Sequence, residues 1–249
     1  MQKLILVTGT TNGIGAQLKK HFLKCGFDVI GVDKVVDSFG DSHYEFLHLD
    51  LVDEGVLDSI KAAVGARKLY AIINNAAEFA YNPISNFDLS RFNRSQLVNA
   101  AMPLAIAATL QDRLEDSVSK IVSITSGDAY FAGHEDLGYA ASKASLANIT
   151  KSMAAEFGKR GIRVNAVSPG WVDTDMGENA GVDDLAHAKT PLGRNATPQE
   201  ITDLIDYLIS DKSSFINGSI INIDGGYTII DTVVKEEFDR HKKDDKHEV

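Results

Sequence analysis

The sequence predicts an α/β fold: a single doubly wound domain with a seven-stranded parallel sheet flanked by helices on both faces. Three observations lead there. Short, continuous apolar runs such as Leu4-Ile5-Leu6-Val7 alternate with longer segments of helical period, which is the pattern of strands covered on both faces and joined by crossover helices. A glycine-rich turn, Thr8-Gly9-Thr10-Thr11-Asn12-Gly13-Ile14-Gly15, separates the first run from the first helical segment. Tyr139 and Lys143 are placed one turn apart in a later segment that reads as helix, so phenol and ammonium share a face.

Composition sets the outer bounds. The chain has 249 residues, of which 44% are apolar, enough for a full core in one domain. That domain is expected over residues 1–230, with a charged tail of mixed sign over 231–249 that reads as solvated. The formal charge of -10 argues against nucleic acid or an anionic membrane as partner. Cys25 is the one cysteine, so no internal disulfide is possible, and it reads as a small apolar group near the end of the first helix. Met1-Gln2-Lys3 passes directly into a short strand, and no run approaches the ~18 apolar residues of a membrane span. A cytoplasmic protein is expected. The seven histidines show no metal-ligand spacing, so no metal site is expected. His48 reads as a satisfied strand histidine.

Each element then follows in order. The Gly-x-x-x-Gly-x-Gly turn lets backbone NH groups at a helix N-terminus approach a pyrophosphate, where the helix dipole favours negative charge, as in a Rossmann-type domain. Asp28-Val29-Ile30-Gly31-Val32-Asp33 reads as the second strand, and Asp33 at its end can accept hydrogen bonds from the ribose hydroxyls of adenosine while repelling a 2'-phosphate. This favours NAD over NADP, although Lys34 follows directly. The strand Tyr44 to Leu49 leads to Asp50, which competes between a cofactor contact and an N-cap. Leu69 to Ile73 is the fourth strand and runs into Asn74-Asn75-Ala76-Ala77. A long helix spans roughly Leu89 to Leu114, and Pro103, four residues after Asn99, removes a helical NH and should kink it. Lys120 to Ser126 alternates as a strand ending at Ser126, with Thr125 pointing to the opposite face. The helix bearing Tyr139 and Lys143 continues to about Arg160, with a stripe of Leu146, Ile149, Met153, Ala154 and Phe157. Ile162 to Val167 is the sixth strand, and Pro169-Gly170-Trp171-Val172-Asp173-Thr174 follows. Residues 175–196 are loosely patterned and long for a compact domain, as a substrate lid would be. Thr197-Pro198-Gln199-Glu200 caps a helix to Ser210, and Ile220 to Gly226 closes the sheet.

In this order the motifs resemble the classical short-chain dehydrogenase/reductase family, from Leu4 to Gly226. The resemblance implies an NAD(P)-dependent oxidoreductase that interconverts an alcohol and a ketone or aldehyde, with Tyr139 as general acid/base, Ser126 on the substrate oxygen, Lys143 on the phenol and the nicotinamide ribose, and Asn99 continuing a proton relay. It implies cofactor contacts from Gly9, Thr11, Asn12, Gly13, Ile14, Gly15, Asp33, Asp50, Leu51, Asn75, Ala76, Ala77, Tyr139, Lys143, Pro169, Gly170, Val172 and Thr174. In this chain Ala77 stands where the family has glycine, which requires negative φ there. A homo-oligomer, dimer or tetramer, is the family's expectation. The charge of Lys143, together with that of the oxidised nicotinamide, should pull the phenol below its ordinary pKa of about 10. Phe79, Tyr81, Tyr130, Phe131, Trp171 and Met176 fall on loops after strand ends, which points to a partly apolar or ring-shaped small-molecule substrate, and His134 lies near the same mouth. A catalytically silent nicotinamide-binding regulator or scaffold is the alternative, and an epimerase or dehydratase of the extended group a further one.

Overall fold

Seven parallel strands run β1 (Leu4–Thr8), β2 (Asp28–Asp33), β3 (Tyr44–His48), β4 (Leu69–Asn74), β5 (Lys120–Ile124), β6 (Arg163–Pro169) and β7 (Ile220–Ile223), ordered β3-β2-β1-β4-β5-β6-β7 in one sheet. The computed structural model describes residues 2–133, 135–174, 180–229 and 231. Because successive strand residues point to opposite faces, each continuous apolar run feeds two cores. Leu4, Leu6, Ile30, Ile72, Ile121 and Val164 pack on one side; Ile5, Val7, Val29, Ile73, Val122 and Val167 pack on the other.

Helices cover both. α2 (Val56–Val64), α4 (Met102–Thr109) and α5 (Leu137–Gly158) contribute Ile60, Ile106 and Met153 to the first core, while α1 (Gly13–Lys24) and α7 (Pro198–Ile209) contribute Phe22 and Ile205 to the second. The remaining α-helices among the described residues are α3 (Leu89–Gln96) and α6 (Ala180–Lys189). α7 starts at the expected N-cap, and Thr197 and Glu200 there form a capping box, Thr197 accepting from the Glu200 NH and Glu200 from the Thr197 NH, which satisfies two orphan donors.

Strand order reverses between β1 and β4: β2 and β3 lie on one side of β1, and β4 to β7 on the other. The loops leaving β1 and β4 therefore diverge and open a crevice at the carboxyl ends of the strands, where open α/β sheets bind ligands.

Several boundaries differ from the sequence reading. The third strand ends at His48, so Leu49 and Asp50 lie beyond it. The long helix stops at Thr109, not Leu114, and is broken by a π turn over Leu97–Ala101. Pro103 has no NH to give the Asn99 carbonyl, and a wider turn is the local response. β5 ends at Ile124, and Ser126 instead caps a short 3-10 turn, accepting from the Asp128 NH. The segment expected as a loose lid contains α6. Cys25 is exposed, not packed. Met176, His134 and 232–249 lie outside the described residues. Among the described residues no helix is long and apolar enough to cross a membrane, and no cluster of His, Cys, Asp or Glu could hold a metal ion.

Candidate active site

The crevice is a cavity of about 650 Å³. One wall is the turn after β1. Gly9 has φ +73° and Gly13 φ +52°, a left-handed region that favours glycine. A Cβ on Gly13 would lie 3.1 Å from the Thr174 methyl, and one on Gly9 would lie 2.9 Å from the Ala76 backbone. Gly9, Asn12, Gly13 and Ile14 line the cavity. The Asn12 side chain makes no cap hydrogen bond and the first turn of α1 carries no acid, so the helix N-terminus is open to an anion. These features fit a dinucleotide diphosphate.

Thr11 and Gly15, both expected to touch the cofactor, are not on the cavity wall. The Thr11 NH donates to Asp33 Oδ2 at 2.9 Å and its hydroxyl to the Val35 carbonyl, so Thr11 orients the acid. Gly15 faces inward: a Cβ there would stand 1.7 Å from the Gly9 carbonyl oxygen. Its role is close packing of helix on turn.

Asp33, Lys34, Asp50 and Leu51 form the far end. Asp33 Oδ1 also accepts from the Val35 NH at 3.0 Å. Asp50 is not a helix cap, since α2 begins at Val56 after Gly55. Its carboxylate accepts from Arg94 at 2.7 Å and from the Val52 NH. Burial pushes this carboxyl up, but those two hydrogen bonds, with the charges of Arg94 and Lys34, outweigh it and hold it below its ordinary value.

The middle of the cavity is tied together by two asparagines. Asn74 Nδ2 donates to Ser123 Oγ at 3.1 Å and joins β4 to β5; Asn75 Nδ2 donates to the carbonyls of Thr8 and Gly9 at 3.0 and 2.7 Å. Thr8 Oγ1 accepts from the NH groups of both Asn75 and Ala76. Asn75, Ala76 and Ala77 line the cavity. Ala77 does not have positive φ, so the methyl replacing glycine carries no backbone strain.

At the near end Ser126, Tyr139 and Lys143 meet, with Pro169, Gly170, Val172 and Thr174 above them. Asp136 caps α5 by accepting from the Tyr139 NH at 3.1 Å, which fixes where the tyrosine leaves the helix. Ser126 Oγ donates to Asp128 Oδ2 at 3.2 Å. Thr125 is engaged elsewhere, donating to the Val167 carbonyl at 2.9 Å. Lys143 is buried, donates to the Ile124 carbonyl at 2.8 Å, and stands 5.4 Å from the centre of the Tyr139 ring. Burial lowers its pKa to about 8, against the pull of Asp128.

The phenol itself departs from expectation. Its pKa is raised, first by burial, then by the charges of Asp128 and Asp136, against a lowering hydrogen bond with Ser126. Burial and the two carboxylates, not the lysine, set the direction of the shift.

Asn99 does not line the cavity. It is buried behind it, accepting from the Glu78 NH at 2.7 Å and donating to the Glu78 carbonyl and to Ser142 Oγ, both at 2.9 Å. Ser142 in turn donates to the Tyr139 carbonyl at 2.6 Å, so Asn99 supports the tyrosine's turn of helix. Of the five loop aromatics, Phe79 and Trp171 line the cavity, Tyr227 joins them, and Phe79 packs edge-on to Tyr139 with ring centres 5.4 Å apart. Tyr81, Tyr130 and Phe131 do not line it. Sequence reasoning missed Asp128 and Glu78. An acid two positions after the serine is the signal for the first; the second had none.

An enoyl-(acyl carrier protein) reductase family model matches residues 9–228. The chain is 30% identical to cis-4-hydroxycyclohexanecarboxylate dehydrogenase of Sinomonas cyclohexanicum, over 92% of this chain and 98% of that one. It is similar to the structure of a 4-hydroxyisoleucine dehydrogenase mutant complexed with NADH and succinate: TM-score 0.86, 30% identity, 92% of this chain and 99% of the other. A structure of ElxO with NADP bound matches with a TM-score of 0.82 and 26% identity, over 92% of this chain and all of the other. With a family model matched over residues 9–228 and a relative 30% identical over nearly its whole length, the chain belongs to the classical short-chain dehydrogenase/reductase family.

Proposed function

We propose that the protein is an NAD(H)-preferring dehydrogenase that interconverts a secondary or primary alcohol and its carbonyl. The reading is carried by one observation: Ser126, Tyr139 and Lys143 converge at one end of a single cavity whose other end holds the open helix N-terminus and Asp33. A nicotinamide nucleotide, when bound, supplies the hydride for reduction of the carbonyl carbon or accepts it from the carbinol.

The chain's residues handle the proton. Tyr139 gives its phenolic proton to the substrate oxygen in reduction and takes it back in oxidation. A phenol is protonated near neutrality at its ordinary pKa of about 10, and the upward shift opposes the phenolate that oxidation needs, which suits the reductive direction. Ser126 donates to the same oxygen once it turns from Asp128. An ammonium has three donors; Lys143 commits one to Ile124, leaving two for ribose hydroxyls and the phenol. Asn99 positions Tyr139 through Ser142. Gly9, Asn12, Gly13 and Ile14 would hold the diphosphate, Asp33 the adenosine ribose, and Thr174 with the Pro169–Val172 turn the nicotinamide side. Phe79, Trp171 and Tyr227 give the substrate end apolar walls. Exposed Leu97 and Leu104, with the exposed Ala141 and Ala144 of α5, support a homo-oligomer.

NADH absorbance measured against a panel of alcohols, ketones and aldehydes tests the reaction class. Tyr139→Phe should abolish turnover while NADH still binds; retained turnover refutes the assignment.

A further inference from the structure

The far end of the cavity carries an unbroken row of alternating charges. Lys34 Nζ lies 3.3 Å from Glu78 Oε2, Arg94 Nε lies 2.6 Å from Glu78 Oε1, and Arg94 Nη2 lies 2.7 Å from Asp50 Oδ2. Lys34, Glu78 and Asp50 line the cavity alongside Asp33. Glu78 is fixed at its backbone, since the buried Asn99 amide takes both its NH and its carbonyl. Its side chain is mostly buried, whereas that of Lys34 is half exposed. The glutamate is therefore the anchored partner, and the lysine comes to it. A pair with one partner half exposed adds little to stability, so its consequence lies in binding.

We propose that Glu78 selects the cofactor: it holds Lys34, the cation that a 2'-phosphate on the adenosine ribose would need. The proposal rests on the reading of the cavity as a dinucleotide site. Among the described residues lining the cavity, Lys34 and Lys143 are the only cations, and Lys143 is at the opposite end. A 2'-phosphate would need Lys34, and taking it would strand the Glu78 carboxylate beside a phosphate of charge near -2. A 2'-hydroxyl meets no such conflict, because it can donate to Asp33 with the Lys34–Glu78 pair intact. Arg94 makes the arrangement durable, since it grips Glu78 from the side away from Lys34 and keeps the carboxylate in place.

Titrations of NADH and NADPH, followed by nucleotide fluorescence on the intact protein, test this without any substrate. The variants are Glu78→Gln, which keeps the shape and an acceptor for Arg94, Lys34→Gln, and the two combined, with Glu78→Ala as a second removal of the charge. Wild-type protein should bind NADH more tightly. Glu78→Gln and Glu78→Ala should tighten NADPH by about tenfold, the order of one partly screened charge interaction, and move NADH by less than about threefold. In the Lys34→Gln background the NADPH gain should largely vanish. Equal effects on both nucleotides, a gain that persists without Lys34, or a wild-type preference for NADPH would overturn the proposal while leaving a dinucleotide site standing. Failure of the wild-type protein to bind either nucleotide would overturn the dinucleotide reading itself.

Discussion

Lys143 and Tyr139 are one helical turn apart, with the ammonium 5.4 Å from the centre of the phenol ring, yet the phenol's pKa is raised and not lowered. Burial comes first among the causes, and the carboxylate of Asp128 comes next. The lysine's own charge is partly suppressed by the same burial, and one of its donors is held by Ile124. Proximity along a helix face is thus a weaker determinant here than the dielectric around the pair.

Asp128 is therefore a lever on the proton step. Its negative charge opposes phenolate, so Asp128→Asn should lower the Tyr139 pKa and move the alkaline-rising limb of alcohol oxidation to lower pH, by up to about one unit. The check is kcat/KM against pH in the oxidative direction. A limb that stays in place would mean that the charge does not reach the phenol.

Lys143 illustrates a conflict between stability and function. Its folded pKa of about 8 lies below the ordinary 10.5, so between these values the unfolded chain holds a proton that the folded one has shed. Stability from this group accordingly rises with pH through that window, and below it the buried charge is a net cost. Lys143→Met should remove that cost: the thermal midpoint at pH 7 should equal or exceed that of the wild type, while turnover falls by about a thousandfold or more. A midpoint well below wild type would show that the bond to Ile124 outweighs the buried charge.

Asp136 has the opposite linkage. Burial raises its carboxyl to about 6, against the hydrogen bond from the Tyr139 NH. For an acid with a raised folded pKa, the folded state holds the extra proton, so stability falls as pH climbs from about 4 through 6. Asn is a good N-cap and carries no charge. Asp136→Asn should therefore stabilise the protein at pH 8 by roughly 1–2 kcal/mol and leave it nearly unchanged at pH 4. Denaturant unfolding at the two pH values decides; equal effects at both would rule out the charge as cause.

What the sequence made legible was set by local spacing. The glycine turn, Asp33 at a strand end, and Tyr139 one turn from Lys143 are all patterns that one element or one loop can display. The doubly wound sheet followed from apolar runs that had to be covered on both faces. The far-end charges were not legible, because Lys34, Glu78, Arg94 and Asp50 come from four separate segments and meet only through the packing of α3 beside the β4 loop. The same limit applies to Thr11, Gly15 and Asn99: motif membership pointed to the cofactor or the reaction, and only the fold shows that Thr11 also orients Asp33, Gly15 lets helix meet turn, and Asn99 braces Glu78 and Ser142.

Gly15 separates a steric requirement from a conformational one. Its φ is not in the left-handed region, so alanine is permitted by the backbone, but the added Cβ would fall 1.7 Å from the Gly9 carbonyl oxygen and 2.6 Å from Asn75 Nδ2. Both neighbours are fixed, since Asn75 Nδ2 itself donates to the Gly9 carbonyl at 2.7 Å. Relief must come from the turn, which would carry the NH groups of Gly13 and Ile14 away from the diphosphate position. Gly26 is the counterpart, with φ +82° and nothing within 4 Å of where a methyl would stand, so Gly26→Ala meets only the left-handed penalty of roughly 1 kcal/mol. Gly15→Ala should weaken NADH binding by at least about a hundredfold, because approach of backbone to phosphate is what the turn provides, whereas Gly26→Ala should lower the unfolding free energy and leave NADH affinity unchanged. Fluorescence titration and denaturant unfolding on both variants separate the two; a Gly15→Ala protein that binds NADH normally would show that the turn can yield without moving its NH groups.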